Sequence, residues 1–281
     1  MRHSIRLRIG PAGFRIGSDW AAPVAALADL YRDYPVPEVP DFTVRLEATR
    51  PWRRWLRPSV RIGGDYMLPE AAPLPLAHGL LAAEMGMNLQ LALGWRRHLL
   101  LHASGVERNG CALLMSGESG AGKSTLSALL MSRGWRLMGD EFALIEPATG
   151  MAHAFPRLVS LKGGAIDAVA GDRWGPLLPG TPKGDIRHLV PDARAVAAMD
   201  EPARPALLLF PRYGETRAVR DVPASEAFVR LTQASTNYTL LGEAGFTALT
   251  RLVTEVPALA IDYPDSATAL AMVEEFWPGG L

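Results

Sequence analysis

Residues 117–124 read GESGAGKS, between an apolar run, CALLM (111–115), and a helix-forming run, STLSALLMSRG (124–134). Gly117, Gly122, Lys123 and Ser124 satisfy the pattern G-x-x-x-x-G-K-[ST]. Each residue type has a task there. The glycines let the backbone curl until several N–H groups point inward, and the following helix aims the positive end of its dipole at the same place. Lys123 is long enough to reach terminal phosphates, and Ser124 offers a hydroxyl to Mg²⁺. The segment therefore predicts a nucleoside triphosphate cradle made of Gly117, Glu118, Ser119, Gly120, Ala121, Gly122, Lys123, Ser124 and Thr125, with ATP and Mg²⁺ as the expected ligands.

The surrounding chain is that of an ordinary globular protein. Its 281 residues are 48% apolar and 21% charged, with 29 basic and 29 acidic side chains. A zero net charge gives no global attraction to nucleic acid or anionic lipid, so neither is an expected partner. The single Cys111 lies in the apolar run and has no internal disulfide partner. The first residues, MRHSIRLRIGPAGFRIG, alternate as a strand does and lack the apolar block of a secretion signal. No run approaches 18 apolar residues, so no membrane span is expected and the cytoplasm is the expected location.

Only three of the 29 basic residues are Lys: Lys123, Lys162 and Lys183. The rest are Arg. Where a compact, flexible point charge is needed Arg does not replace Lys, so Lys162 and Lys183 become candidates beside Lys123.

Outward from the loop, RHLLLHASGVERNGCALLMSG reads as strand, tight turn at Arg108–Gly110, strand. WRLMGDEFALIEP reads as one strand with Asp140 and Glu141 in its middle, where neighbouring side chains take opposite faces. FPRLVSLKGG predicts a strand and turn, followed by a Gly/Pro-rich loop over 163–191 that carries Lys183, Arg187 and His188. ALLLFPRY and ALAIDY read as buried strands, with helices near 225–232 and 238–256 and a last one from Asp265 or Ser266. Residues 1–75 predict a separate small α/β unit, joined through the Pro-rich LPEAAPLPLAHG to a second unit over 76–281 that opens with a helix to Trp95. Inside the first unit, RPWRRWLRP is either a docking surface or a basic loop packed on its own tryptophans.

HASGVERNGCALLMSGESGAGKST followed by RGWRLMGDEFALI resembles the catalytic domain of bacterial HPr kinase/phosphorylase. That family has a His before a hairpin, then the loop, then an R-G-H-R-L-x-x-D-D run, and His102 stands 15 residues before Gly117. VSLKGGAID resembles the family's E-x-R-G-x-G-I-I-D. The resemblance spans about residues 98–170 and is absent from 1–75; the arrangement is most similar to the HPr kinase-related "kinase A" branch, which is linked to a small PqqD-like partner protein.

The resemblance implies an α/β P-loop kinase core of the HPr kinase/PEP carboxykinase type, with a mixed sheet. Asp140 would be the general base for an acceptor hydroxyl and Glu141 would join Ser124 and Asp140 at Mg²⁺. His102 would orient the catalytic carboxylate, while Lys162, Lys183 and Arg187 would meet phosphate charge. Two departures stand out: the family's Glu falls on Ser160 and its Arg on Lys162, which removes a metal contact and a bidentate fork. Phosphorylase activity is not expected. The implied reaction is transfer of the ATP γ-phosphoryl group to a hydroxyl, on a Ser of a partner protein or peptide or on a small metabolite. The rival is a nucleotide-dependent scaffold with little chemistry, and the hexameric relatives leave room for a homo-oligomer.

Overall fold

Leu7, Ile9, Ala12, Phe14 and Ile16 all turn inward along the first two strands. This pairs β1 (His3–Ile9) with β2 (Ala12–Ser18) as an antiparallel hairpin. Helix α1 (Ala21–Leu30) carries the chain to β3 (Phe42–Ala48), parallel to β2, and β4 (Ser59–Gly64) and the short β5 (Leu74–Pro75) follow antiparallel. Helix α2 (Gly79–Gly94) packs on β3, β4 and α1, and its Leu80, Ala83, Met87 and Leu91 share one core with Phe14, Val44 and Leu46. A helix from beyond residue 75 thus covers the sheet of residues 1–75. These observations come from a computed structural model that describes residues 1–68 and 71–279.

The rest of the chain runs β6 (Leu99–Leu101), β7 (Ala103–Arg108), β8 (Cys111–Ser116), α3 (Lys123–Met131), β9 (Arg136–Gly139), β10 (Ala143–Ile145), β11 (Ala152–His153) and β12 (Val159–Lys162). It continues through α4 (Ala165–Ala168), β13 (Leu178–Thr181), β14 (Gly184–Leu189), α5 (Ala193–Ala197), β15 (Arg204–Tyr213), β16 (Ala218–Asp221), α6 (Ala224–Ala234), α7 (Tyr238–Leu241), α8 (Glu243–Glu255), β17 (Ala258–Tyr263) and α9 (Ser266–Phe276). The fold is mixed α/β. Its largest sheet has the order β16-β17-β15-β8-β7-β9; β8, β15 and β17 are parallel, while β7 is antiparallel to β8, β9 to β7 and β16 to β17.

Strand alternation sorts this sheet's two faces. Leu113, Met115, Leu207 and Leu209 pack with Leu126 and Leu130 of α3 and Leu270 and Val273 of α9. Ala112, Leu114, Leu208 and Phe210 pack instead with Leu231 of α6 and Leu249 and Leu252 of α8. Both faces are covered, so the strands read as unbroken apolar runs.

Three expectations from sequence change. The run 135–147 is not one strand: β9 belongs to the large sheet and β10 to a small one of order β11-β10-β6. The chain can fold back there because residue 139 is Gly; an added Cβ would lie 2.7 Å from the Phe142 carbonyl oxygen. The single helix expected over 238–256 is two, α7 and α8, broken at Gly242 with φ 56. The Gly/Pro-rich stretch after residue 163 is no open loop over its second half, since β13 and β14 form a hairpin paired through β14 to β12.

Candidate functional site

Two neighbouring strand pairs break at the same level. β6 pairs with β10 (Leu101 opposite Ala143) in the small sheet, and β7 pairs with β9 (Gly105 opposite Gly139) in the large one. His102 lies at the first break, Asp140 and Glu141 at the second. Passing from one sheet to the other therefore brings all three to the wall of one cavity beside the glycine loop. His102 Nε2 meets Glu141 Oε1 at 3.2 Å.

The loop joins β8 to the nine-residue α3. Gly120 and Gly122 take φ 90 and 94, left-handed values that a side chain resists. Gly122 has a second constraint, because a Cβ there would come 2.2 Å from the Tyr263 hydroxyl. That hydroxyl donates to the Ala121 carbonyl at 3.1 Å and pins the loop's far side. Lys123 is buried and donates to the carbonyl oxygens of Gly117 and Glu118 at 2.6 and 2.9 Å. The ammonium thus spans the mouth of the curl it would fill with a phosphate.

Asp140 and Glu141 occupy different surroundings. Asp140 is buried; it accepts from Ser104 Oγ at 3.1 Å and from the Ser160 backbone N–H at 3.2 Å. Burial, and then the charge of Glu141, push its carboxyl above the usual range, opposed by hydrogen bonds from Ser124, Ser160 and Ser104. Glu141 keeps 43% of its side-chain exposure. Burial also works to raise Glu141, but the hydrogen bond and charge of His102, with Arg157 and Lys183, outweigh it and hold the carboxyl low.

All three lysines line one cavity of about 500 Å³ with Ser124, Asp140 and Glu141. Lys162 comes from β12, and Lys183 from the tip of the β13–β14 hairpin. Burial, then the nearby Lys183, lower the Lys162 pKa, which the two carboxylates oppose. Ser160 lines the same wall. Arg187 does not reach it: its guanidinium stacks 5.1 Å over Trp174 and donates to the Gly175 carbonyl. The role at phosphate expected for Arg187 therefore has no geometric support, because β14 is a paired strand that holds the side chain away. His188 is fully buried rather than poised over the cavity.

Ser124 and the two carboxylates are hard oxygen donors, too few to enclose a cation but suited to Mg²⁺, which keeps water and phosphate oxygens among its ligands. Among the described residues no cluster of three His, Cys, Asp or Glu side chains could hold a metal alone. Beyond the loop the cavity is also lined by the apolar side chains of Leu129, Ala165, Ala168 and Ala269.

No protein-family model matches the chain, and no curated protein does. Among solved structures, the chain is similar to the HPr(Ser) kinase/phosphatase from Coxiella burnetii. The match is 13% identical, covers 64% of this chain and 99% of that one, and has a TM-score of 0.29. Function has to be read from the site itself.

Some groups around the site carry no motif. Ser104 and Tyr263 are two. Deeper are Glu84 of α2 and Arg157, an ion pair buried beneath Glu141 and completed by Tyr31, whose hydroxyl donates to Glu84 Oε1 at 2.9 Å, and by Asn88. The available signal was that Glu84 is the lone charge in a 16-residue apolar helix. Among the described residues no helix is long and apolar enough to cross a membrane.

Proposed function

We propose that the chain is an ATP-dependent kinase that transfers the γ-phosphoryl group to a hydroxyl acceptor, first of all a Ser of a partner protein or peptide. One observation carries the reading: the chain's only three lysines converge on a single cavity with the glycine loop and two carboxylates. Phosphoryl transfer needs little covalent help from the protein; it needs positioning and positive charge at the moving group. Lys123, Lys162 and Lys183 supply that charge from three separate elements.

The surroundings of the two acids support a division of roles other than the one the resemblance implies. Asp140 is enclosed, turned towards Ser104, Ser124 and the Ser160 N–H, and pushed up by burial. A carboxylate in that state is stabilised by a cation placed against it. Asp140 and Ser124 are the residues that would hold Mg²⁺, which supplies charge neutralisation at the phosphates. Glu141 is open to the cavity, ionised at neutral pH and in contact with His102. It is the group that receives the acceptor's proton while the acceptor oxygen bonds to the γ-phosphorus and ADP departs with the bridging oxygen. His102 orients that carboxylate.

The test combines transfer of label from γ-labelled ATP to Ser-containing acceptors with ATP affinity in Mg²⁺. Both Asp140→Asn and Glu141→Gln are expected to abolish transfer, but only Asp140→Asn to weaken Mg-dependent ATP binding. Transfer at the wild-type rate by Glu141→Gln would refute its role. Unchanged ATP affinity with lost transfer in Asp140→Asn would return the base to Asp140. Tight nucleotide binding with no transfer to any acceptor would favour a nucleotide-gated scaffold.

A further inference from the structure

The segment RPWRRWLRP (50–58) joins β3 to β4, and although Arg50 and Arg54 pack over its tryptophans, the apolar side chains are not covered. Trp52, Trp55 and Leu56 keep 53, 74 and 66% of their exposure. The backbone over Pro51–Arg54 is one turn of 3-10 helix, in which residues three apart lie one above the other. Trp52 lies in that turn and Trp55 directly follows it, its N–H donating to the Trp52 carbonyl at 3.2 Å. Both indoles stay open to solvent, with Arg53 and Arg54 between them in the chain and Arg50 and Arg57 at either end.

Three further features separate this turn from an ordinary basic loop. First, among the described residues none of Arg50, Arg53, Arg54 and Arg57 makes an ion pair, although most of the chain's other ion pairs are made by Arg. Second, the turn is held in shape: Trp20 Nε1 donates to the Arg54 carbonyl at 2.9 Å, Arg54 to the Asp19 carbonyl at 2.6 Å, and Arg53 to the Arg57 carbonyl at 3.2 Å. Third, Arg57 has φ 47, a left-handed conformation that a non-glycine side chain resists.

We infer that this turn docks an acidic polypeptide segment that carries apolar side chains between its carboxylates. Charge complementarity selects the partner's sign, since among the described residues none of the four guanidinium groups is ion-paired. The chemistry selects its class. Arg50 and Arg54 lie 5.3 and 5.8 Å over the faces of Trp52 and Trp55, so each indole presents an apolar rim beside a guanidinium fork suited to a carboxylate. Trp and Arg are also the side chains that most often dominate protein–protein contacts. A bilayer is a poorer fit: three apolar side chains give a shallow anchor, and a chain of zero net charge has no long-range pull towards anionic lipid. The inference does not depend on the reaction at the glycine loop.

The test titrates the full chain with a fluorescein-labelled peptide of repeating Glu-Glu-Leu-Ala, a Lys-Lys-Leu-Ala peptide of equal length, and phosphatidylcholine vesicles with and without phosphatidylserine. Trp52→Ala/Trp55→Ala and Arg50→Glu/Arg57→Asn are compared with wild type; all four side chains are exposed, and Asn tolerates the left-handed backbone. The expected result is salt-sensitive binding of the acidic peptide alone, weakened about tenfold or more in each double variant while melting temperatures hold. Equal binding of both peptides, no binding, undiminished binding by the variants, or binding only to phosphatidylserine vesicles would overturn the inference.

Discussion

The Glu84 carboxylate and the Arg157 guanidinium form an ion pair in which the side chains keep 3 and 5% of their exposure. Burial alone would lower the Arg157 pKa, but the charge and hydrogen bond of Glu84, together with Tyr31 and Glu141, outweigh it and raise it. Removing one partner leaves an uncompensated charge in the interior, so Glu84→Gln is expected to lose about 3–5 kcal/mol of stability in urea unfolding. Replacing both, as Glu84→Leu with Arg157→Met, should recover most of that loss. A double variant as unstable as the sum of the singles would show that the pair is not the relevant unit.

Gly122→Ala meets two obstacles, the left-handed φ of 94 and the Tyr263 hydroxyl 2.2 Å from the new Cβ. Backbone strain of this kind costs about 1–3 kcal/mol, and the loop has no route around it without moving Ala121 off Tyr263. The melting temperature should fall and ATP binding should be lost. Adding Tyr263→Phe removes the clash but not the φ, so it should restore only part of the stability. A full recovery would place the whole cost on the hydroxyl.

Lys123 makes two hydrogen bonds to loop carbonyls that a phosphate would replace. Its loss is therefore a loss of ligand binding more than of fold. Lys123→Ala is expected to weaken ATP binding about 10–100-fold by calorimetry, the worth of a charge-assisted hydrogen bond, with little change in melting temperature. Lys123→Arg should not rescue it, because a planar fork does not fit between the Gly117 and Glu118 carbonyls. Wild-type affinity in either variant would contradict the role.

The loop, its strand and its helix were legible because each rests on local chemistry: an apolar run, glycines where φ turns positive, and a helix former after them. The rarity of Lys pointed to Lys162 and Lys183, and both line the cavity. Non-local geometry was not legible. Asp140 and Glu141 read as mid-strand residues because nothing local marks the change of sheet except Gly139, whose smallness serves the Phe142 carbonyl behind it. Arg187 read as a loop residue because Pro and Gly surround it, whereas it lies on β14, paired with β12, and stacks on Trp174. Glu84 and Arg157 lie 73 residues apart and only packing joins them.

His98 offers a test by pH. Trp95 Nε1 donates to its Nδ1 at 3.0 Å, a bond that only the neutral ring accepts. The ring stacks at 10° to Trp95 and lies 4.6 Å from His153. Burial, then the charges of His153 and Arg97, push its pKa down to about 4, against the opposing charge of Glu146. In the unfolded chain the ring returns to its ordinary 6.5 and takes up a proton that the folded ring refuses. Its contribution to stability is therefore complete above pH 6.5 and is lost as the pH falls towards 4. Urea midpoints measured across this range should fall more steeply for wild type than for His98→Gln, which still accepts from Trp95 but does not titrate. Parallel curves for the two proteins would mean that His98 is not the group responsible.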